Sequence, residues 1–184
     1  PRTYAAFIRK WGEPALELGC GDGHPLLSLR VDGLDVEGLD SSADMLAKLR
    51  RTAAERGVDV TVHRSTIEEM DLARTYRSIF LAGPTFNLIA DDATAAQALE
   101  RIRDHLDPAG AALIPLFIPQ PVPAKHLGVA REHIDEHGRV LRFTATASHH
   151  DEAARRQTTM TRYEIIDGDD HQQIERPWVL HWHT

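Results

Sequence analysis

Cysteine is almost missing: the 184-residue chain has one, Cys20, which excludes an internal disulfide framework and any multi-cysteine zinc site. No apolar run approaches the roughly 18 residues of a membrane span, and no signal-peptide pattern opens the chain. Basic residues are outnumbered, 21 against 28 acids for a formal net charge of -7, which disfavours a general nucleic-acid surface while leaving room for a local basic patch. Nothing repeats at a fixed period and no segment is low-complexity. The chain opens on Pro1 instead of a methionine and stops inside the strand-like stretch Trp178–Thr184. Domains usually end in weakly patterned residues, so the expectation is a piece of a longer chain.

What is present is a soluble globular composition, 42% hydrophobic and 27% charged, with one domain's worth of residues. It points to a cytoplasmic domain that handles something small.

The first two thirds alternate strand-like and helix-like segments. Ala15–Leu18 reads as a strand broken by Gly19-Cys20-Gly21-Asp22-Gly23, and a short helix runs from Pro25 to Arg30. Val36–Leu39 is a second strand that ends in Asp40. Ser42 to Arg56 is a helix, with Ser42 as N-cap, Gly57 as C′ residue, and Met45, Leu46, Leu49 and Ala53 on one face. Strands follow at Val58–His63, Ile79–Ala82 and Ala112–Phe117, and a helix with Leu99, Ile102 and Leu106 on its apolar face covers about 93–106. Such alternation predicts an α/β fold with a mostly parallel sheet covered on both faces. At Pro115 the pattern changes: prolines 115, 119, 121 and 123 mark a crossing. Beyond it, segments 139–149, 157–166 and 174–182, separated by turns at Asp151-Glu152 and Asp167–Asp170, predict an antiparallel meander. We read residues 1–118 as a core and 119–184 as an added region of the same domain, cut off before its last strands. The exposed sheet edge this leaves suits a partner, including a second copy in a homodimer.

The glycine loop carries the chemistry. Glycines at a strand-to-helix turn let the backbone approach a ligand, and an acid at the next strand's end grips ribose hydroxyls. Asp40 stands there, 21 residues after Gly19. The dinucleotide fingerprint needs glycine where this chain has His24, so the spacing is G-x-G-x-G, with Glu17 two residues before it. That loop resembles motif I of the class I S-adenosylmethionine-dependent methyltransferases. Three further segments match in order: Gly38–Leu46 is similar to the family's G-h-D-x-S-x-x-M-L signature, Glu68-Glu69-Met70 to its acidic stretch, and His105–Gly110 to its H-L-x-P-G-G turn.

The resemblance implies a Rossmann-like, doubly wound fold with an added antiparallel β-meander. It also implies a small-molecule methyltransferase that uses S-adenosyl-L-methionine and releases S-adenosyl-L-homocysteine. By position, Glu17 and Gly19 would meet the methionyl ammonium, while Gly21 and Gly23 shape the loop that contains Cys20. Asp40 would take the ribose hydroxyls, Ser41 and Met45 would border the adenine, and Ala82 and Gly83 would lie near the methionyl portion. Thr66 and Ile67 stand where the family often has an Asp that contacts the adenine edge, and Ser78 stands where an Asp commonly begins the fourth strand. An N-terminal segment closing over the cofactor is absent or reduced to the region of Tyr4. The meander is similar to the substrate-covering insertion of small-molecule N-methyltransferases such as those acting on amino sugars.

The sulfonium is already an activated methyl donor, so alignment is the chief demand, and an amine needs little beyond deprotonation. Nitrogen is therefore the expected acceptor ahead of oxygen. Phe86 and Asn87, at the carboxyl edge of the fourth strand, are the expected substrate contacts. No catalytic base stands out; His149, on the side of Leu141, Phe143, Ala145 and Ala147 by alternation, is the one candidate. His181 and His183 share a face opposite Trp178, Leu180 and Trp182, with no third ligand identifiable, so no metal is expected. Two other readings of the same residues stand beside this one: a non-catalytic adenosyl-ligand sensor or binding subunit, and an NAD(P)-dependent oxidoreductase. No nucleic acid and no membrane is expected as a partner.

Overall fold

The computed structural model describes residues 2–135 and 137–183. The chain divides into two compact units, the first ending at Leu116 and the second starting at Phe117.

In the first unit the element order is α1 (Arg2–Trp11), β1 (Ala15–Leu18), α2 (Leu26–Val31), β2 (Val36–Asp40), α3 (Ala43–Glu55), β3 (Val62–Arg64), β4 (Tyr76–Leu81), α4 (Asp92–His105) and β5 (Leu106–Leu113). The five strands form a parallel sheet in the order β3-β2-β1-β4-β5. Its two faces carry separate cores. Ala5 and Ile8 of α1, Leu26, Leu27 and Leu29 of α2, and Leu46, Leu49 and Ala53 of α3 gather around Phe80 on one face. Ala95, Ala98 and Ile102 of α4 join Leu16, Leu18, Leu39 and Ile79 on the other, with Ile67, Met70 and Tyr76. A doubly wound sheet buries both faces, which is why β1 is buried at all four positions. Each fully buried leucine here contributes about 1.5–3 kcal/mol.

Several expectations shift. The helix α1, not foreseen, places Tyr4 against Phe80, with ring centroids 5.2 Å apart. On α3, Ser42 caps as expected, its Oγ accepting from Met45 N at 3.3 Å, but Met45 itself is 46% exposed and leaves the buried face to Leu46, Leu49 and Ala53. On α4, Leu99 is likewise 46% exposed, and the buried stripe is Ala95, Ala98, Ile102 and His105. Ala95 and Ala98 take the buried positions and leave the larger Leu99 on the outer side. The third strand is confined to Val62–Arg64, and β5 stops at Leu113 because Pro115 has no N–H to continue a ladder. Within β5, Leu106 pairs with Tyr76 and Ala111 with Ser78. Residues 107–110 loop out between them, with Asp107 Oδ1 accepting from Ala109 N at 2.9 Å.

The second unit is an antiparallel sheet in the order β6-β7-β8-β9, formed by Ala130–Ile134, Val140–Asp151, Arg156–Asp167 and Asp170–His181. The three expected strands are present and longer, and β6 is additional. Both expected turns stand: Asp167 pairs with Asp170 around Gly168 (φ 56°), and Asp151 pairs with Arg156. Pro177 sits on β9, an edge strand of this sheet, the kind of strand that tolerates proline.

A bulge on β7 changes one reading. Phe143 pairs with Tyr163 and Ala145 with Thr161, but the next partner pair is Ala147 with Met160, so Thr146 has no place in the ladder. Its hydroxyl donates to Met160 O at 3.3 Å. One extra residue inverts the side of everything after it. His149 therefore leaves the face of Phe143 and is exposed, while His150 joins the face of Phe143, Tyr163 and Trp178. The His150 ring stacks on Trp182 at 4.9 Å and 16°. The other pair behaves as alternation requires, with His181 and His183 rings 4.7 Å apart.

Candidate functional site

The loop after β1 is pinned onto the end of β2. Gly19 N and Cys20 N donate to Leu39 O at 2.7 and 3.0 Å, and Gly23 N donates to Cys20 O at 2.9 Å. Asp40 fastens the arrangement from both sides: Oδ2 accepts from Gly21 N and Oδ1 from Ser42 N, each at 2.8 Å. Each carboxylate oxygen keeps a further lone pair for a hydroxyl donor. Gly19 has φ 68°, and a Cβ there would come within 2.6 Å of Thr85 Cγ2. Only glycine lets the turn following β4 close over this strand end.

Gly38, on β2, opens the stretch Gly38–Leu46. A Cβ at that position would sit 2.7 Å from Cys20 Sγ and 2.9 Å from Leu26 Cδ2. Gly38 thus makes the seat into which the loop presses, and Cys20 is the side chain that fills it. Cys20 is buried, and burial followed by the nearby Glu17 and Asp40 charges pushes its thiol pKa well up. It is an inert packing group.

Glu17 is the electrostatic oddity of the site. It has no exposed surface, and neither carboxylate oxygen has a hydrogen-bond partner among the described residues. Burial raises its pKa from the ordinary 4.5 to about 8; the Leu26 N–H offsets part of this from outside hydrogen-bonding geometry, and the Asp40 charge adds to the rise. Glu37, on β2, shows the opposite case. Burial alone would raise it, but bonds from His63 Nε2 (2.8 Å), Tyr76 Oη (2.8 Å) and Arg74 together hold it below the usual range. Two buried glutamates one strand apart therefore differ in charge preference because one has hydrogen-bond donors and the other has none among the described residues.

Beside the loop lies an open cleft of about 550 Å³. Of the residues singled out in the sequence, Gly19, Asp40, Ser41, Thr66 and Ile67 line it. Sequence reasoning missed Ser65, Thr85, Leu88, Ala90 and Thr94 in the lining, and gave Glu68 no role. Their signal was position alone: each lies just beyond a strand's carboxyl end or at the start of α4. Glu17, Cys20, Gly21, Gly23, Met45, Ala82 and Gly83 are outside the lining. Gly83 N donates to Tyr4 Oη at 3.1 Å, so α1 holds the end of β4. Phe86 and Asn87, expected to face a substrate, are 2% and 1% exposed, and Phe86 belongs to the core under α4. The short turn Thr85–Leu88 presents Thr85 and Leu88 to the cleft instead. A pinned glycine loop, an acid at the second strand's end and an apolar floor suit a ligand with a nucleoside part. Among the described residues, no helix is long and apolar enough to cross a membrane.

Comparison with known proteins agrees with this geometry. Over 120 residues the chain is 32% identical to the dTDP-3-amino-3,6-dideoxy-alpha-D-glucopyranose N,N-dimethyltransferase of Streptomyces fradiae, which covers 63% of this chain and 46% of the relative. It is 41% identical over 59 residues to the ubiquinone biosynthesis O-methyltransferase of Sodalis glossinidius, 32% of this chain and 24% of that one. The chain thus spans less than half the length of these curated relatives. Among solved structures it resembles S-adenosylmethionine-bound CalS10, an amino pentose methyltransferase of Micromonospora echinaspora, with a TM-score of 0.74, 23% identity, and coverage of 100% of this chain and 75% of that one. At that identity the likeness speaks for the fold. Residues 15–110, from β1 to the loop inside β5, match the family described as Methyltransferase domain. A match over more than half of the chain, containing every glycine of the pinned loop and the acid that fastens it, makes this protein a member of the methyltransferase-domain family.

Proposed function

We propose that the chain is the cofactor-binding part of an S-adenosylmethionine-dependent methyltransferase that acts on a small molecule, at nitrogen in preference to oxygen. The observation that carries the reading is Glu17: a buried carboxylate with no hydrogen-bond partner among the described residues, beside a loop built for close backbone approach. A cationic ammonium supplies what this group lacks. When bound, the cofactor supplies an electrophilic methyl carbon on a sulfonium.

The chain's own residues divide the remaining work. Glu17 and Gly19 take the methionyl ammonium, and Gly21 and Gly23 hold the loop's shape. Asp40, kept in place by two backbone amides, accepts the ribose hydroxyls. Ser41, Thr66 and Ile67, which line the cleft, border the adenine. Ala82 and Gly83 lie towards the methionyl portion. Leu88 and Ala90 are the exposed residues of the cleft wall nearest the expected substrate positions.

Support for nitrogen comes from the extent of the likenesses. The relative whose name states N,N-dimethylation matches 63% of this chain, whereas the O-methyltransferase relatives match 32% to 54% of it. An amine also needs no strong base, in keeping with a cleft lined by few titratable groups. Titration calorimetry with S-adenosylhomocysteine and with NADH tests the cofactor. Asp40→Ala should weaken S-adenosylhomocysteine binding by about 1–3 kcal/mol; binding of NADH alone removes the methyltransferase reading. A methyl-transfer assay on matched amines and alcohols tests the acceptor atom.

A further inference from the structure

The bulge at Thr146 leaves a histidine that the cofactor loop does not explain. His150 lies on β7 with its Nδ1 3.0 Å from Gln157 Oε1, and Gln157 is 6% exposed. An acceptor facing Nδ1 puts the proton of the neutral ring on that nitrogen, which leaves Nε2 as a lone-pair acceptor. The stack on Trp182, itself 6% exposed, fixes the plane of the ring.

His150 opens on a cavity of about 260 Å³ within the second unit. Ile118, Pro119 and Pro121 form apolar walls, and Glu152 and Gln120 supply the other polar groups. The polar inventory is unequal. His150 Nε2 and the Glu152 carboxylate only accept, whereas the Gln120 amide both accepts and donates. Such a set has a negative charge and a surplus of lone pairs, so it favours a ligand that brings several N–H donors and a positive charge on an apolar body. An alcohol of the same shape brings one donor and no charge. The volume suits a single ring or a short aminoalkyl chain.

We propose that this cavity is an amine-binding subsite, in which His150 and Glu152 hold an ammonium group and Ile118, Pro119 and Pro121 hold its carbon skeleton. It rests on the reading of the chain as acting on a small amine, and it names the residues of the second unit that recognise that group. His150 is a binding residue here, and Gln157 and Trp182 are the positioning residues behind it.

Cyclohexylamine and cyclohexanol, titrated into the full chain with ¹⁵N-labelled histidine and tryptophan, separate the outcomes. Cyclohexylamine should bind at least about tenfold more tightly than cyclohexanol and shift the His150 Nε2 and Trp182 indole resonances. Glu152→Gln, at an exposed position that leaves the fold undisturbed, should lower that affinity by about tenfold. His150→Phe should abolish the preference for the amine while S-adenosylhomocysteine binding stays unchanged. Equal binding of the two probes, shifts that bypass His150, no saturable binding of either, or full retention in His150→Phe would each overturn the subsite. Failure of S-adenosylhomocysteine to bind the wild-type chain would instead strike the proposed function, because the probe titrations do not require it.

Discussion

Replacing Glu17 with glutamine should move stability and ligand affinity in opposite directions. In the unfolded chain the carboxyl ionises near 4.5, but in the fold it holds its proton to about pH 8. Between those values the unfolded state has given up a proton that the folded state keeps, so stability falls as pH rises and levels off above 8. The whole interval is worth at most about 5 kcal/mol. Glutamine has no charge to desolvate, and its buried amide is as short of partners as the protonated acid. Glu17→Gln should therefore match the wild type within about 1 kcal/mol at pH 5 and exceed it by several kcal/mol at pH 8.5. In urea, that difference appears as a midpoint raised by about 1–2 M at pH 8.5. The same substitution removes the anion that would face the methionyl ammonium, so affinity for S-adenosylhomocysteine should fall at least about tenfold. Urea titrations at the two pH values, with calorimetry alongside, read both effects. A stability difference that does not change with pH, or a variant weaker than wild type at pH 8.5, would refute the account of Glu17 as an unpartnered group.

Glu37 should behave in the reverse sense. Its pKa is lowered, so its hydrogen bonds stabilise the fold above the ordinary carboxyl range and lose that contribution as pH falls through the folded value. Glu37→Gln should be less stable than wild type at pH 7, with the gap closing in acid; a gap that widens there contradicts the assignment. Gly38→Ala forces a methyl group against Cys20 and Leu26 and should cost about 1–3 kcal/mol. Adding Cys20→Ala should return part of that loss, and thermal melts of the two single variants and the double variant measure the coupling.

Much of the first unit was legible because its signals are local. The glycine loop, Asp40 and the Ser42 cap are fixed by backbone demands that few residues meet, and they stand where the spacing placed them. Face assignments on helices were less legible, since Met45 and Leu99 are as apolar as their buried neighbours and only packing decides which turn inward. The strand β6 carries no alternation to detect, being exposed at all five positions. Histidine sidedness failed at a single residue: nothing in Ala145-Thr146-Ala147 announces a bulge, yet it exchanges His149 for His150. Of the cleft, the residues on the glycine and acid motifs were visible, whereas Thr85 and Thr94 are common polar residues that only the fold brings there.

Cys20 gives the loop a built-in clock. It is the sole thiol of the chain, and it lies sealed against Gly38 with its proton held firmly. A disulfide reagent can reach the sulfur only while the loop is lifted from β2, so the rate of modification counts those openings. A ligand gripping Gly19 and Asp40 slows the clock, and a loosened seat quickens it. The breathing of the site can thus be timed on the native chain, with no label introduced and no second thiol to confuse the count.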